Sequence, residues 1–247
     1  MRGHERIHIG TCGWHYQHWV GPFYPPELAT EDFLAHYASR LNTVEVNNTF
    51  YQLPDKETFV LWRETVPEGF IFAIKANRYI THMKKLSDPR EPLANMLQAL
   101  QGLGEKLGPI LFQLPPNWHV NLERLRHFVE SLPRQRAYAF EFRDPSWFDS
   151  QVYDVLRAHN IAFCIHDLAG QPSPKVVTSD MIYVRLHGPS GRYEGRYTTQ
   201  MLAGWAGAFY AWVRQDKEIH CYFNNDMRGY APANALQLRA MVDDCAL

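Results

Sequence analysis

Short apolar runs alternate with amphipathic runs along the chain, and this alternation continues from one end to the other. Eight of the apolar runs are rich in Val, Ile, Phe and Tyr, which is typical of buried β-strands. They cover residues 6–10, 43–47, 70–75, 110–114, 137–143, 161–166, 182–187 and 219–224. The regular spacing predicts a chain built from repeated strand and helix units.

The segments between these strands carry apolar residues at helical spacing. One helix is predicted to open at Thr30, which would be its N-cap, and a second opens at Pro54. A third is predicted over 89–106 and is stopped by Gly108-Pro109. Further helices are predicted over 121–132, 149–159, 198–214 and 231–243.

Eight strands, each followed by a helix-containing segment, within 247 residues predict an α/β fold, a TIM-type (β/α)8 barrel. We expect a single domain over residues 1–247. The alternative is a doubly wound open sheet, which usually has a glycine-rich phosphate-binding turn after its first strand. The turn Gly10-Thr11-Cys12-Gly13-Trp14 lacks the GxGxxG spacing, and this favours the barrel.

Composition narrows the classes of protein. Lys and Arg (25) nearly balance Asp and Glu (26), so a broad electrostatic surface for nucleic acid or anionic membrane is not expected. Residues 1–8 lack the apolar stretch of a signal peptide, and no membrane-spanning segment is expected. No two of the four cysteines form a CxxC pair: Cys12, Cys164, Cys221 and Cys245. A reduced, cytoplasmic protein is therefore expected.

Polar residues interrupt the predicted strands mainly near their C-terminal ends. Because side chains alternate across a strand, one set faces the barrel interior and the other faces the helices. On 137–143 the aromatic set should face the helices, so Glu141 and Arg143 face inward. Strand six is ambiguous between His166 and Asp167. The same reasoning places inward Glu45, Asn47, Lys75, Gln113, Tyr183, Arg185, His187 and Asn224.

Active sites of TIM-type barrels lie at the C-terminal ends of the strands, so this pattern predicts a site there. Three inward cations against two inward carboxylates favour a small anionic or phosphorylated ligand. The residues assigned to catalysis, by acid–base chemistry or charge stabilisation, are Glu45, Lys75, Glu141 and His187. The residues assigned to ligand binding are Asn47, Gln113, Arg143, Arg185, Gly188 and Asn224. The alternative is that the charges only pair with one another.

Several motifs, in order along nearly the whole chain, resemble a known family. They are Gly10-Thr11-Cys12-Gly13-Trp14, Thr43-Val44-Glu45-Val46-Asn47-Asn48-Thr49-Phe50-Tyr51, Leu111-Phe112-Gln113-Leu114-Pro115-Pro116, Glu141-Phe142-Arg143-Asp144-Pro145-Ser146-Trp147 and Tyr183-Val184-Arg185-Leu186-His187-Gly188. Together they are similar to the YecE-like family, domain of unknown function family 72. The resemblance implies a TIM-type barrel and no established activity. The family more often has Ser where this chain has Cys12.

The sequence requires no cofactor. A divalent metal on Glu141, Asp167, His187 and Asp226 remains an open alternative, although neighbouring arginines compete for the same acids. An enzyme with a small anionic molecule as its partner is the favoured class, with the reaction unidentified. Nucleic acid is the alternative partner, with metal-assisted processing of a phosphodiester as one version, because basic and aromatic residues are interleaved in 75–85 and 192–197.

Overall fold

The predicted barrel is present in a computed structural model that describes residues 6–244. Eight parallel strands form one closed sheet, in which every strand pairs with two others. They are β1 (Ile7–Cys12), β2 (Thr43–Val46), β3 (Ile71–Lys75), β4 (Leu107–Gln113), β5 (Tyr138–Glu141), β6 (Ala162–Leu168), β8 (Met181–Leu186) and β9 (Glu218–Phe223). The label β7 belongs to a two-residue antiparallel strand (Gln171–Pro172) in a loop. Pairing of Ala139 with Ala162 joins β5 to β6, and pairing of Ile7 with Ile219 joins β1 to β9. The TIM-type α/β barrel is therefore confirmed.

Within residues 6–244, seven α-helices surround the strands. They are α1 (Phe33–Arg40), α2 (Lys56–Thr65), α3 (Arg90–Leu100), α4 (Leu122–Glu130), α5 (Ser150–Ala158), α6 (Thr199–Val213) and α7 (Tyr230–Asp244). Side chains of Asp55, Asn121, Asp149 and Thr198 accept backbone N–H groups at the starts of α2, α4, α5 and α6. Such caps satisfy donors that the first helical turn leaves unpaired. The predicted cap at Thr30 is wrong, because Thr30 opens a short 3-10 turn and makes no capping bond.

The unit after β6 differs from the prediction, because no helix follows it. Residues 169–180 instead form a loop that contains the two-residue strand β7 (Gln171–Pro172), which pairs antiparallel with β6. Two hydroxyl groups anchor this loop along β6. Ser173 Oγ accepts the N–H of His166, and Thr178 Oγ1 accepts the N–H of Phe163.

The predicted stop at Gly108-Pro109 is also displaced. The helix ends at Leu100 and continues as a 3-10 segment (Gln101–Lys106), where Gly104 takes a positive φ of 55°. Strand β4 then begins at Leu107 and contains both Gly108 and Pro109. The helix therefore ends because its last turn tightens, and the Gly-Pro pair lies in the strand.

The strands have two different apolar faces. The outer face carries large side chains that pack under the helices, and Tyr138, Phe140 and Phe142 lie there as predicted. The inner face is a separate cluster dominated by small residues: Cys12, Ala73, Leu111, Ala139, Ala162, Cys164, Tyr183 and Tyr222. Small inner side chains leave room in the barrel for long polar side chains near the C-terminal ends of the strands.

Three of the cysteines, Cys12, Cys164 and Cys221, are buried free thiols. Cys245 and residues 1–5, the start of the region inspected for a signal peptide, lie outside the described part of the chain. Within residues 6–244, no helix has both the length and the apolar character needed to cross a membrane.

Candidate functional site

Arg185 is the centre of the polar cluster inside the barrel. It lies on β8 and is 1% exposed, and its two terminal nitrogens each donate to a different carboxylate. The distances are 2.7 Å to Glu45 Oε1 on β2 and 2.6 Å to Glu141 Oε2 on β5. Both carboxylates are fully buried. Buried charges require such pairing, because an unpaired ion in this environment is very costly.

Glu45 has two further donors. The Tyr183 hydroxyl donates to Oε2 at 2.7 Å, and the Cys12 thiol lies 3.1 Å from Oε1. Burial raises the pKa of Cys12 well above its usual value, and the Glu45 carboxylate adds to this effect. Cys12 is therefore a protonated thiol that donates to Glu45, and it is unsuited to act as a thiolate nucleophile.

Glu141 connects this buried layer to the rim, because its Oε1 forms an ion pair with Arg143 Nε. Burial alone would raise the pKa of Glu141, but the Arg143 and Arg185 guanidiniums outweigh it and hold the pKa well below its ordinary range. The carboxylate stays ionised through the neutral range. With both oxygens engaged by arginines, Glu141 is arranged to position cations rather than to take up protons.

His187 was assigned to catalysis, and the structure places it beneath Arg143 with no exposed surface. Arg143 donates to His187 Nε2 at 3.0 Å, and Nδ1 lies 3.1 Å from the Asn224 side-chain amide. Burial lowers the pKa of His187 well below its usual value, and Arg185 lowers it further. A guanidinium only donates, so Nε2 of the neutral ring is the acceptor in the contact with Arg143. His187 therefore holds Arg143 in place.

Lys75 is at the end of β3 and is partly buried. Its ammonium lies 4.2 Å from the centre of the Phe50 ring, a cation–π contact. Burial, together with Arg185, lowers the pKa of Lys75 to about 8. A lysine with this pKa has an appreciable neutral fraction near pH 7, which suits proton transfer.

The predicted amides are at the same end of the barrel. Asn47 and Gln113 are partly buried at the ends of β2 and β4. Gln113 donates weakly to Leu114 O at 3.3 Å, whereas Asn47 Oδ1 is buried and accepts no hydrogen bond within residues 6–244. An unpartnered buried acceptor is costly in a folded protein, and it suggests a donor that the protein itself does not supply.

Gly188 differs from its prediction. Its φ is +109°, and an added Cβ would overlap the carbonyl oxygen of Glu194, so the chain requires glycine here. Its N–H, which was expected to contact a ligand, donates to the Tyr197 hydroxyl at 3.1 Å. Gly188 therefore shapes the loop after β8, and its amide is already paired.

The ambiguity on strand six is resolved in favour of His166. Ala162 and Cys164 belong to the inner face, and His166 continues that alternation, with its ring 6.3 Å from that of His187. Asp167 turns away and accepts from the Tyr197 hydroxyl at 3.1 Å. The four residues considered for a metal are consequently not brought together, since Asp226 pairs with His18.

Two nearby residues were not assigned from the sequence. Tyr16 lies in the loop after β1, and its hydroxyl donates to Cys12 O at 2.7 Å. Tyr183 was placed inward but was given no role, and it is a direct partner of Glu45. Strand alternation could have found Tyr183. Tyr16 is in a loop, where no such periodicity exists.

Similarity to known proteins shows which family this chain belongs to. A family model described as "Protein of unknown function DUF72" matches residues 8–246. The chain belongs to the DUF72 family. This DUF72 chain is 27% identical to the UPF0759 protein YunF of Bacillus subtilis, over 96% of its own length and 95% of YunF. It is 32% identical to the UPF0759 protein YecE of Escherichia coli, over 58% of this chain and 50% of YecE.

A solved DUF72 structure supports the architecture. The crystal structure of a DUF72 family protein from Thermotoga maritima superposes with a TM-score of 0.86 and is 30% identical, covering 96% of this chain and 99% of that one. The YecE-like resemblance is therefore confirmed. In this DUF72 protein the Cys12 thiol, at a position where the resemblance more often has Ser, retains a donor toward Glu45.

Proposed function

We propose that the C-terminal rim of this barrel binds a small anionic ligand, a phosphate ester or a carboxylate, and that the protein is an enzyme acting on it. The proposal rests on the order in which charged side chains follow one another from the barrel interior to the rim. Both terminal nitrogens of Arg185 pair with Glu45 and Glu141, while Lys75 and Arg143 lie above it and are partly buried. The cluster therefore has one cation in excess, and Lys75, which forms no ion pair within residues 6–244, lies on the solvent side of it.

The charge balance supports an anion. Three cations (Lys75, Arg143 and Arg185) and two carboxylates (Glu45 and Glu141) sum to one positive charge, because His187 is neutral. A small anion placed between Lys75 and Arg143 would neutralise the cluster. Asn47 Oδ1 would accept a donor from the same ligand, such as a sugar hydroxyl.

In this proposal Lys75 transfers the proton. Its pKa of about 8 places it near the operating range of a general base or acid. Arg143, held by Glu141 and His187, would stabilise negative charge that develops on the ligand. Glu45, Glu141, Arg185 and His187 act through these two groups as positioning residues.

Nucleic acid remains the second candidate partner, because Lys75 opens a basic segment that includes the exposed residues Arg78 and Tyr79. Two features favour the smaller ligand. Lys84 in this segment already pairs with Asp88, and Tyr197 of the second basic segment is buried. Fewer free groups are left to follow a phosphodiester backbone.

A thermal-shift titration with inorganic phosphate and a panel of sugar phosphates tests the proposal. We expect about 2.7 kcal/mol of stabilisation at 100 times the dissociation constant of the ligand that fits. Arg143→Gln and Lys75→Gln should abolish the shift. Arg40→Gln, at the exposed C-terminal end of α1 and outside both clefts, is the matched control and should retain it.

Equal shifts in wild type and in both rim variants would overturn the proposal, as would no shift with any phosphate or carboxylate in the panel. A single-stranded oligonucleotide forms a separate arm. Salt-sensitive binding of the oligonucleotide that depends on Arg143, without binding of any small anion, would replace the small ligand by nucleic acid.

A further inference from the structure

The opposite end of the barrel contains a separate polar cleft of about 770 Å³. It lies at the N-terminal ends of the strands and is far from the rim site along every strand. Its walls carry both acidic and basic side chains, including Arg6, His8, Arg134, Arg136, Asp216 and Glu218. Nothing in the proposed function uses these residues.

Three side chains in this region converge because of strand register. His8 on β1 and His220 on β9 are direct partners across the two parallel strands. Glu218 is two residues before His220 on the same strand, so its side chain leaves the same face. The two imidazole rings stack with centroids 4.6 Å apart, and Glu218 reaches across both.

The ligand atoms are spaced as a metal ion would require. Glu218 Oε1 lies 3.2 Å from His8 Nε2 and 3.0 Å from His220 Nε2, and all three atoms lie within 4.8 Å of one another. Bonds of 2.0–2.1 Å to a tetrahedral zinc ion place neighbouring ligand atoms about 3.3 Å apart. Within residues 6–244, this is the one group of three such side chains that converges in this way.

We propose that His8, Glu218 and His220 bind a divalent transition metal of the zinc type, with a fourth position open toward the cleft. Two imidazoles and one carboxylate are a ligand set that zinc sites use when they keep an exchangeable position. Glu218 is 49% exposed, whereas His220 is 3% exposed, so the site has a buried side and an open side. His220 Nδ1 contacts the Tyr222 hydroxyl at 3.3 Å, which orients the ring from behind.

The open position faces a wall suited to an oxyanion. Arg134 and Arg136 line the same cleft, and neither forms an ion pair within the described residues, whereas Arg6 is paired with Asp216 at 2.6 Å. A phosphate or carboxylate bound to the metal would lie beside these arginines. The structure thus assigns the cleft to a metal together with an anionic ligand, independently of the rim.

Cobalt is the probe, because tetrahedral Co²⁺ is coloured and zinc displaces it. Tag-free protein is titrated with Co²⁺ and then with Zn²⁺, and the visible absorption is followed. We expect one Co²⁺ per chain, and a loss of affinity exceeding about 100-fold in His8→Gln and Glu218→Gln, beyond the cost of losing an outer-shell partner. His159→Gln removes an imidazole from the same cleft without touching the cluster and should bind like wild type.

Circular dichroism establishes that each variant is folded. Wild-type protein that takes up no more Co²⁺ or Zn²⁺ than folded His8→Gln would show that Glu218 merely accepts hydrogen bonds from the two imidazoles, and the proposal would fail. Equal weakening by His159→Gln would also overturn it. Addition of phosphate should change the Co²⁺ spectrum, and this change should be lost in Arg136→Gln. An unchanged spectrum would remove the anionic ligand from the proposal.

Discussion

The two ends of this barrel use charge in opposite ways. At the C-terminal rim, Arg185 and Glu45 are locked together in a fully buried network, and only Lys75 and Arg143 remain near solvent. At the N-terminal end, Glu218 is half exposed beside a wide cleft. The rim is organised by internal ion pairs, so its proposed ligand meets a preformed electrostatic field. The N-terminal cluster has only three convergent atoms, so its proposed ion would itself supply most of the local charge.

The largest difference in stability between the two ends is expected when the central cation, Arg185, is removed. Arg185→Met leaves the carboxylates of Glu45 and Glu141 without their shared partner in a buried environment. We expect the free energy of unfolding to fall by about 3–5 kcal/mol or more, measured by urea denaturation. His8→Gln at the other end should change it by about 1 kcal/mol or less.

Two added substitutions separate the charge effect from a packing effect. Arg185→Met combined with Glu45→Gln and Glu141→Gln removes the stranded charges and should recover part of the lost stability. If the triple variant is as unstable as the single one, the packing of Arg185 rather than its charge holds this layer together.

A smaller effect is expected at Lys75. Its folded-state pKa of about 8 is below the unfolded value of 10.5, so the unfolded state binds more protons between these pH values. The lysine therefore costs stability below pH 8, and this cost disappears as the pH rises toward 10.5. Lys75→Met should raise the free energy of unfolding by about 2 kcal/mol at pH 7, after the lost cation–π contact is subtracted.

Denaturant titrations of wild type and Lys75→Met across this pH range measure the difference. The gain should shrink as the pH rises, and tyrosine ionisation cancels because both proteins carry the same tyrosines. Lys56→Met, at an exposed position, is the control and should show no such trend. A gain that does not vary with pH would mean that the Lys75 ammonium is not desolvated.

The smallest effect concerns the edge of the N-terminal cleft. Arg6 and Asp216 form an ion pair in which Asp216 is 92% exposed. Exposed pairs contribute little, because solvent screens them and ordering the side chains costs entropy. Arg6→Gln should change the free energy of unfolding by about 0.5 kcal/mol or less, and the change should vanish in high salt. A loss comparable to that of Arg185→Met would contradict the contrast between the two ends.

The two ends also differ in how far the sequence predicts them. Alternation along one strand is a local signal, and it was enough to place Glu45, Glu141 and Arg185 inside one barrel. It left open whether Arg185 pairs with the carboxylates, and it did not reveal that the Gly188 amide is paired with Tyr197, because such contacts depend on three-dimensional distances. The general expectation of a helix-containing segment after every strand fails at β6 for a related reason: a loop covers this strand through hydroxyl contacts that have no periodic pattern.

The N-terminal cluster cannot be predicted from any local sequence pattern. His8 and His220 are 212 positions apart and become neighbours only when β1 and β9 close the barrel in register. No spacing motif marks them, and the four residues that the sequence offered as metal candidates belong to the other end of the barrel. Ring closure, rather than proximity along the chain, creates this site.

The loop over β6 affects where the barrel can open locally. Elsewhere a packed helix shields the outer face of a strand, but here the amides of Phe163 and His166 depend on the hydroxyls of Thr178 and Ser173. Detachment of residues 169–180 would break these two bonds, the short β6–β7 pairing and the core contacts of Val176 and Val177, but the eight pairings that close the barrel would persist. Amide-hydrogen exchange should therefore be faster at Phe163 and His166 than along the other strands, because the loop over β6 can detach while the barrel stays closed.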